Sequence, residues 1–177
     1  MTKIKKRLLA SLLALAMTVV MAVPSFAASY SVGLNYRFHV GDTATFLNLT
    51  GSVGTSLYCR KLSLYRTSAP GTDQTFTRVY VNNGTKRGYY LGQRSGSQWY
   101  MINKSNTAYS NGYDAIMWPV NAQNYETNTD SLFNLPSNNN SLKLTYKGYY
   151  LTSASAATGA KVYFYTRSNY NWYYYAV

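Results

Sequence analysis

One unit, used three times, constrains this chain more than any other feature. Its clearest copy is the last: from Leu142 the chain reads LKLTYKGYYLTSASAATGAKVYFYTRSNYNWYYYAV. Side chains alternate in short runs, as in Leu142-Lys143-Leu144 and Val162-Tyr163-Phe164-Tyr165, and clusters of Gly, Ser and Asn separate the runs. Period-two runs rich in β-branched and aromatic residues and bounded by turn formers predict strands, about four per unit. Two weaker copies precede it. Tyr90-Leu91-Gly92 and Phe46-Leu47-Asn48 match Tyr150-Leu151-Thr152. An apolar run ending in an aromatic follows each: Leu62-Ser63-Leu64-Tyr65, Ala115-Ile116-Met117-Trp118 and Val162-Tyr163-Phe164-Tyr165. A residue-x-aromatic triplet then closes each copy, at Gln74-Thr75-Phe76, Ser131-Leu132-Phe133 and Tyr170-Asn171-Trp172. Units of this size cannot bury an apolar face alone, so three of them are expected to close around a shared axis. The copies fall at roughly 36–80, 81–137 and 138–177. No helical period appears after the N-terminal segment, and the predicted class is all-β.

The third copy resembles a known repeat. Gly148-Tyr149-Tyr150-Leu151, then Gly159 through Tyr165, then Tyr170-Asn171-Trp172 is similar to one repeat of the ricin-type β-trefoil lectins, which runs G-x-Y-L, G-x-x-V-x-L-W, Q-x-W. The first copy keeps Gln74 and carries Phe76 in place of Trp; the third carries Tyr170 in place of Gln; the second is degenerate. The resemblance spans most of 36–177 and implies a β-trefoil that binds carbohydrate. In that family each site takes a polar residue after the conserved Leu, the aromatic that ends the apolar run, and a polar pair opening the closing triplet. By position the first copy offers Asn48, Tyr65, Asp73 and Gln74; the second Gly92, Trp118, Asp130 and Ser131; the third Thr152, Tyr165, Asn169 and Tyr170. The family's first polar residue is usually Asp, and no copy has it. Asn48 can accept one hydrogen bond and donate another, while Gly92 offers nothing and Thr152 little. The first copy is therefore the favoured site and the third comes next. Phe76, Phe133 and Trp172 are expected in the core, and Gln74 has the alternative of bonding backbone near its turn.

Residues 1–27 read as a secretory signal. Lys3, Lys5, Lys6 and Arg7 precede an apolar run from Leu8 to Val23, and Ser25-Phe26-Ala27 places small residues for cleavage after Ala27. The run is short for a spanning helix, which needs about 20 residues. The expected product, residues 28–177, is one secreted domain, extracellular or wall-associated, with no stable membrane span. Seventeen basic residues against five acidic ones give +12; four of the basic residues lie in the leader, which leaves +8 for the remainder. Such a charge attracts anionic surfaces. Beyond the leader the basic residues are scattered, with pairs only at Arg60-Lys61 and Lys86-Arg87, so nucleic acid is not an expected partner. Polysaccharide, glycoconjugate or an anionic wall polymer is.

Catalysis finds little support. His39 is the sole histidine and Cys59 the sole cysteine, so metal-ligand spacing is lacking and no cofactor is expected. His39 reads as a surface or half-buried strand residue. Cys59 reads as a small buried hydrophobe beside the Leu62–Leu64 run, with a reactive thiol as the alternative. Glycoside hydrolysis needs two facing carboxylates, and Asp73 and Asp130 fall at matching places in different copies, where threefold arrangement holds them apart. All twenty tyrosines follow the leader, and their apolar faces with polar tips suit carbohydrate. The 26-residue interval from Leu91 to Met117 exceeds the 13 residues from Leu151 to Phe164. It predicts an inserted loop around 94–111, a possible grip for a protein partner, and a second long loop is expected at 119–129.

Overall fold

The computed structural model describes residues 27–41, 44–51, 56–109, 112–135 and 141–177. The leader expected at 1–27 lies outside the described residues apart from Ala27, as does Asp42. Among the described residues twelve strands form: β1 (Ser29–Val40), β2 (Thr45–Leu49), β3 (Leu62–Arg66), β4 (Phe76–Asn82), β5 (Arg87–Ser95), β6 (Gln98–Tyr109), β7 (Gly112–Val120), β8 (Phe133–Asn134), β9 (Lys143–Leu144), β10 (Tyr150–Ser153), β11 (Val162–Tyr165) and β12 (Trp172–Ala176). Two single 3-10 turns, Thr72–Gln74 and Ala122–Asn124, complete them. Among the described residues no helix is long and apolar enough to cross a membrane.

Strand pairing makes the threefold order explicit. β1 pairs with β4 of its own unit and with β12 of the last. β5 pairs with β8 of its own unit and with β4 of the first, and β8 continues to β9. These strands form a barrel. The hairpins β2–β3, β6–β7 and β10–β11 cap it, each joined to the first strand of its unit through His39↔Phe46, Gly92↔Met101 and Lys143↔Tyr150. Within units one and two the closing aromatics face matching tyrosines, Tyr36↔Phe76 and Tyr89↔Phe133. This is the threefold all-β arrangement that the triple repeat predicts, and it is the trefoil order that the resemblance implies.

The register corrects one alignment. Equivalent hairpin starts are Phe46-Leu47-Asn48, Met101-Ile102-Asn103 and Tyr150-Leu151-Thr152, because each pairs with the matching residues Tyr65-Leu64-Ser63, Trp118-Met117-Ile116 and Tyr165-Phe164-Tyr163. Tyr90-Leu91-Gly92 belongs to the barrel strand β5, where Gly92 is the counterpart of His39 and Lys143. A Cβ at Gly92 would stand 2.2 Å from the Tyr100 carbonyl oxygen and 2.5 Å from Met101 Sδ. The glycine is there to let β5 pass β6. The loop expected at 94–111 is likewise replaced by strand: β6 runs through it and returns as β7, with a bulge between Lys104 and Ala108. The 119–129 stretch is shorter as a loop than expected, since β7 reaches Val120 and Ala122–Asn124 makes a turn.

The core follows the same order. Leu47, Ile102 and Leu151 form one set of equivalents, Leu64, Met117 and Phe164 a second, and Phe76, Phe133 and Trp172 a third, all fully buried. Each such side chain contributes about 1.5–3 kcal/mol on burial. Trp172 also donates its indole N–H to the Leu151 carbonyl at 2.9 Å. A second, smaller core breaks the symmetry. Val79, Val81, Tyr90, Trp99, Met101, Val120, Ala122 and Leu132 pack together, with Tyr30 against them. The Trp99 indole donates to Tyr30 Oη at 3.1 Å. Tyr90 donates to the Glu126 carbonyl and accepts from the Asn128 N–H, both at 2.8 Å, so it pins the 126–128 backbone. Burial pushes the Tyr90 phenol well above its ordinary pKa, which keeps it a neutral donor.

Candidate functional site

The three capping hairpins meet where β3, β7 and β11 approach the axis, through Lys61↔Ile116, Ser63↔Lys161 and Asp114↔Tyr163. The register makes Lys61, Asp114 and Lys161 equivalent positions. They form one ionic triad: Asp114 Oδ2 lies 3.0 Å from Lys61 Nζ, and Oδ1 lies 2.7 Å from Lys161 Nζ. Lys161 also sits 3.5 Å from the centre of the Tyr109 ring. Burial works to raise the Asp114 pKa, but hydrogen bonds and charge from Lys161 and Lys61 hold it below the ordinary carboxylate value.

Four residues further along each strand stand the predicted platforms Tyr65, Trp118 and Tyr165. Tyr65 is 46% exposed, and Trp118 and Tyr165 are half-buried, so none is a core residue. Their surroundings differ. In the first unit the polar residues are tied to one another. Asn48 donates to Ser63 Oγ at 3.2 Å and accepts from Gln74 Nε2, while Gln74 Oε1 accepts from the Gly71 N–H at 2.6 Å. Gln74 is buried, so the backbone-bonding alternative applies to it. Asp73 pairs with Arg60 at 3.1 Å, and the buried Arg60 guanidinium also donates to the carbonyls of Thr50, Gly51 and Leu49. The unit expected to be the best site therefore presents an exposed ring beside polar groups that already have partners.

The second unit is open. A cleft of about 430 Å³ is lined by Trp118, Ile116, Asn103, Lys104, Asn128 and Asp130, with the bulge residues 105–107 and Cys59 at its edge. Trp118 rests on Tyr58, ring centres 5.3 Å apart. Asn103 occupies the place sequence alignment gave to Gly92, and donates to the buried Ser131 Oγ at 2.8 Å. Ser131 is thus a support beneath the cleft. Asp130 keeps 28% of its side chain exposed, and the backbone N–H of Asp130 bonds to Asn128 Oδ1 at 3.0 Å. The signal for Asn103 was present: Met101-Ile102-Asn103 repeats the order of Phe46-Leu47-Asn48.

Lys104 explains the fixed position of Asp130. Its ammonium lies 3.4 Å from Asp130 Oδ1, 4.1 Å from the centre of the Tyr113 ring and 5.6 Å from that of Tyr149. Asp130 is the counterpart of Asp73, and each carries a buried cation, Lys104 from β6 or Arg60 from the turn before β3. In the third unit the acid is Asn169, and the places of those cations hold Ser153 and Ala160. There Thr152 is buried and accepts the Asn169 N–H at 3.0 Å, and Asn169 Nδ2 donates to the Ser153 carbonyl at 3.1 Å. Tyr165 faces Arg167, whose guanidinium lies 5.7 Å from the ring centre. Tyr170 is a half-buried residue packed on the core.

Two further expectations are revised. Cys59 is exposed, with φ +57° in the left-handed region, because it turns the chain into β3 instead of lying in the strand. Its N–H donates to the Met117 carbonyl at 2.8 Å, which binds this turn to β7. His39 is buried, since β1 is covered on both faces here. Phe38 enters the core, and His39 stacks on Tyr173 at 5.3 Å with Phe46 and Tyr175 around it. Asp73 pairs with Arg60, and Asp130 with Lys104 and Lys147.

No protein-family model matches the chain, and no curated protein does. Among solved structures it is similar to the crystal structure of a designed 3-fold symmetric protein, ThreeFoil, with a TM-score of 0.56 and 18% sequence identity. The likeness covers 81% of this chain and 99% of that one. At such identity the likeness concerns architecture alone: the chain is an all-β, trefoil-like protein.

Proposed function

We propose that this is an exported, non-catalytic carbohydrate-binding module of ricin-type lectin character, and that its principal site is the cleft of the second unit. The cleft at Trp118 carries the reading. A pyranose presents an apolar C–H face and a rim of hydroxyls, so it needs one aromatic wall and a few fixed polar groups. Trp118 supplies the wall, braced by Tyr58. Asp130, Asn128 and Asn103 stand opposite in the same cleft, and the first two are held by backbone or ionic contacts. Tyr65 and Tyr165 provide two further platforms at equivalent places. A single shallow site of this kind corresponds to a millimolar constant, about −4 kcal/mol. Several sites on a repeating polymer gain roughly 10²–10⁴ in avidity, so polysaccharide is favoured over free sugar.

The test is binding to a glycan array and to insoluble polysaccharide, with Trp118→Ala as the control. Retention that depends on Trp118 supports the reading. Absence of binding to any glycan at millimolar sites sinks it. The other reading, a wall-associated protein held to anionic polymers by charge alone, is favoured by the +8 balance outside the leader. It predicts retention that vanishes at about 1 M salt, where screening shortens to about 3 Å, and that ignores Trp118.

A further inference from the structure

We infer that the Trp118 cleft selects acidic saccharides, sugar rings bearing a carboxylate, sulfate or phosphate, over neutral ones; this rests on the cleft being a saccharide site. The inference comes from the charge balance at its two ends. At the polar end one carboxylate meets two ammoniums: Asp130 Oδ1 lies 3.4 Å from Lys104 Nζ and 3.9 Å from Lys147 Nζ. Lys104 is buried between Tyr113 and Tyr149 and cannot leave. Lys147 keeps 41% of its side chain exposed and is the movable partner. At the axial end the same ratio recurs. Ile116, a lining residue, bridges to Lys61, and there one carboxylate, Asp114, is shared by Lys61 and Lys161. Lys61 is 53% exposed.

Each cluster therefore carries a net charge of +1; the first lines the cleft through Lys104 and Asp130, and the second adjoins it through the bridge from Lys61 to the lining residue Ile116. The remaining described aspartate, Asp73, is matched by Arg60. The one described glutamate, Glu126, accepts the Asn121 N–H beyond the lining residues. A sugar whose ring stacks on Trp118 places its substituents toward one cluster or the other. An anionic substituent there meets a positive field within the Debye length, about 8 Å at physiological salt. It can also draw Lys147 or Lys61 from a shared carboxylate that retains its second cation. A neutral sugar gains the hydrogen bonds to Asp130, which an acidic one can also make, but nothing from the surplus charge of either cluster.

The experiment is calorimetric titration of the full chain with oligosaccharides matched in backbone and differing only in charge: neutral, carboxylated, sulfated and phosphorylated. Polyglutamate serves as a polyanion without sugar rings. Acidic members are expected to bind roughly twofold to fivefold tighter at low salt, within the range that exposed charge pairs supply. The ratio is expected to shrink in Lys61→Gln/Lys147→Gln, two exposed substitutions that leave Asp114 and Asp130 each with one lysine. The separate acidic arms tell which anion is preferred. Equal affinity for neutral and acidic members overturns the inference and leaves the saccharide reading standing. Polyglutamate binding as tightly as acidic sugar, with no effect of Trp118→Ala, overturns it in favour of charge alone. No saccharide binding at any charge removes both.

Discussion

The first and second units place the same kinds of residue at equivalent points of one fold, yet among the described residues the open cleft lies at the second. In the first, Asn48, Ser63 and Gln74 bond to one another, and Arg60 gathers three carbonyls and Asp73. In the second, the hairpin continues past the rim, bulges at 105–107 and stands Trp118 away from the polar residues. The cation that holds the aspartate comes from the other strand of the hairpin, and a tyrosine, Tyr113, takes the place of Arg60 and covers it. A buried polar group that finds all its partners inside the protein is a structural device. A binding site requires that some of those partners be left for a ligand.

The contrast can be broken in several ways. The largest effect should come from Gly92→Ala, because a β-carbon there collides with the Tyr100 backbone. A loss of about 3 kcal/mol in denaturant unfolding is expected, whereas a rim position would lose almost nothing. Next is Asn48→Ala, which strips partners from Gln74 and Ser63 and should cost about 1–2 kcal/mol in the same assay. If Asn48 is instead a free sugar ligand, stability will hold and binding will fall. Trp118→Ala should weaken glycan binding roughly tenfold, about 1.4 kcal/mol, with Tm nearly unchanged. Tyr65→Ala should weaken it by less, and titration of the two variants side by side ranks the units. A larger loss at Tyr65 would restore the first unit as principal site.

The smallest effect concerns the axis that both units share. The Asp114 pKa is lowered in the folded state. Its contribution is therefore complete above the unfolded value, about 3.9, and is lost as pH falls through the folded value. Thermal melts should show wild type losing part of its advantage over Asp114→Asn below pH about 4. An advantage that persists unchanged into strong acid would mean that the triad contributes nothing to stability.

The class of fold and the core were legible in the chain. Period-two runs, turn clusters and three closing aromatics predict strands that need one another, and Phe76, Phe133 and Trp172 are the buried closing set. Tyr65, Trp118 and Tyr165 were named through the resemblance to the lectin repeat, and each stands one step beyond a buried neighbour. The second unit's register was not. Tyr90-Leu91 imitates Tyr150-Leu151 in letters, but a strand's identity depends on what it pairs with, and β5 pairs across the barrel. His39 and Cys59 failed in opposite directions because burial depends on whether a second layer covers the strand, which one-dimensional alternation cannot report.

By itself, then, the sequence determined that this chain builds an all-β threefold from aromatic-capped hairpins, since local strand propensity and spacing suffice for that. Tertiary structure alone decided which hairpin opens and which cation meets which carboxylate. Lys61, Asp114 and Lys161 lie far apart in the chain and become neighbours only at the axis. Charge pairing is a matter of ångströms, and no spacing along a chain fixes a distance between three separate hairpins.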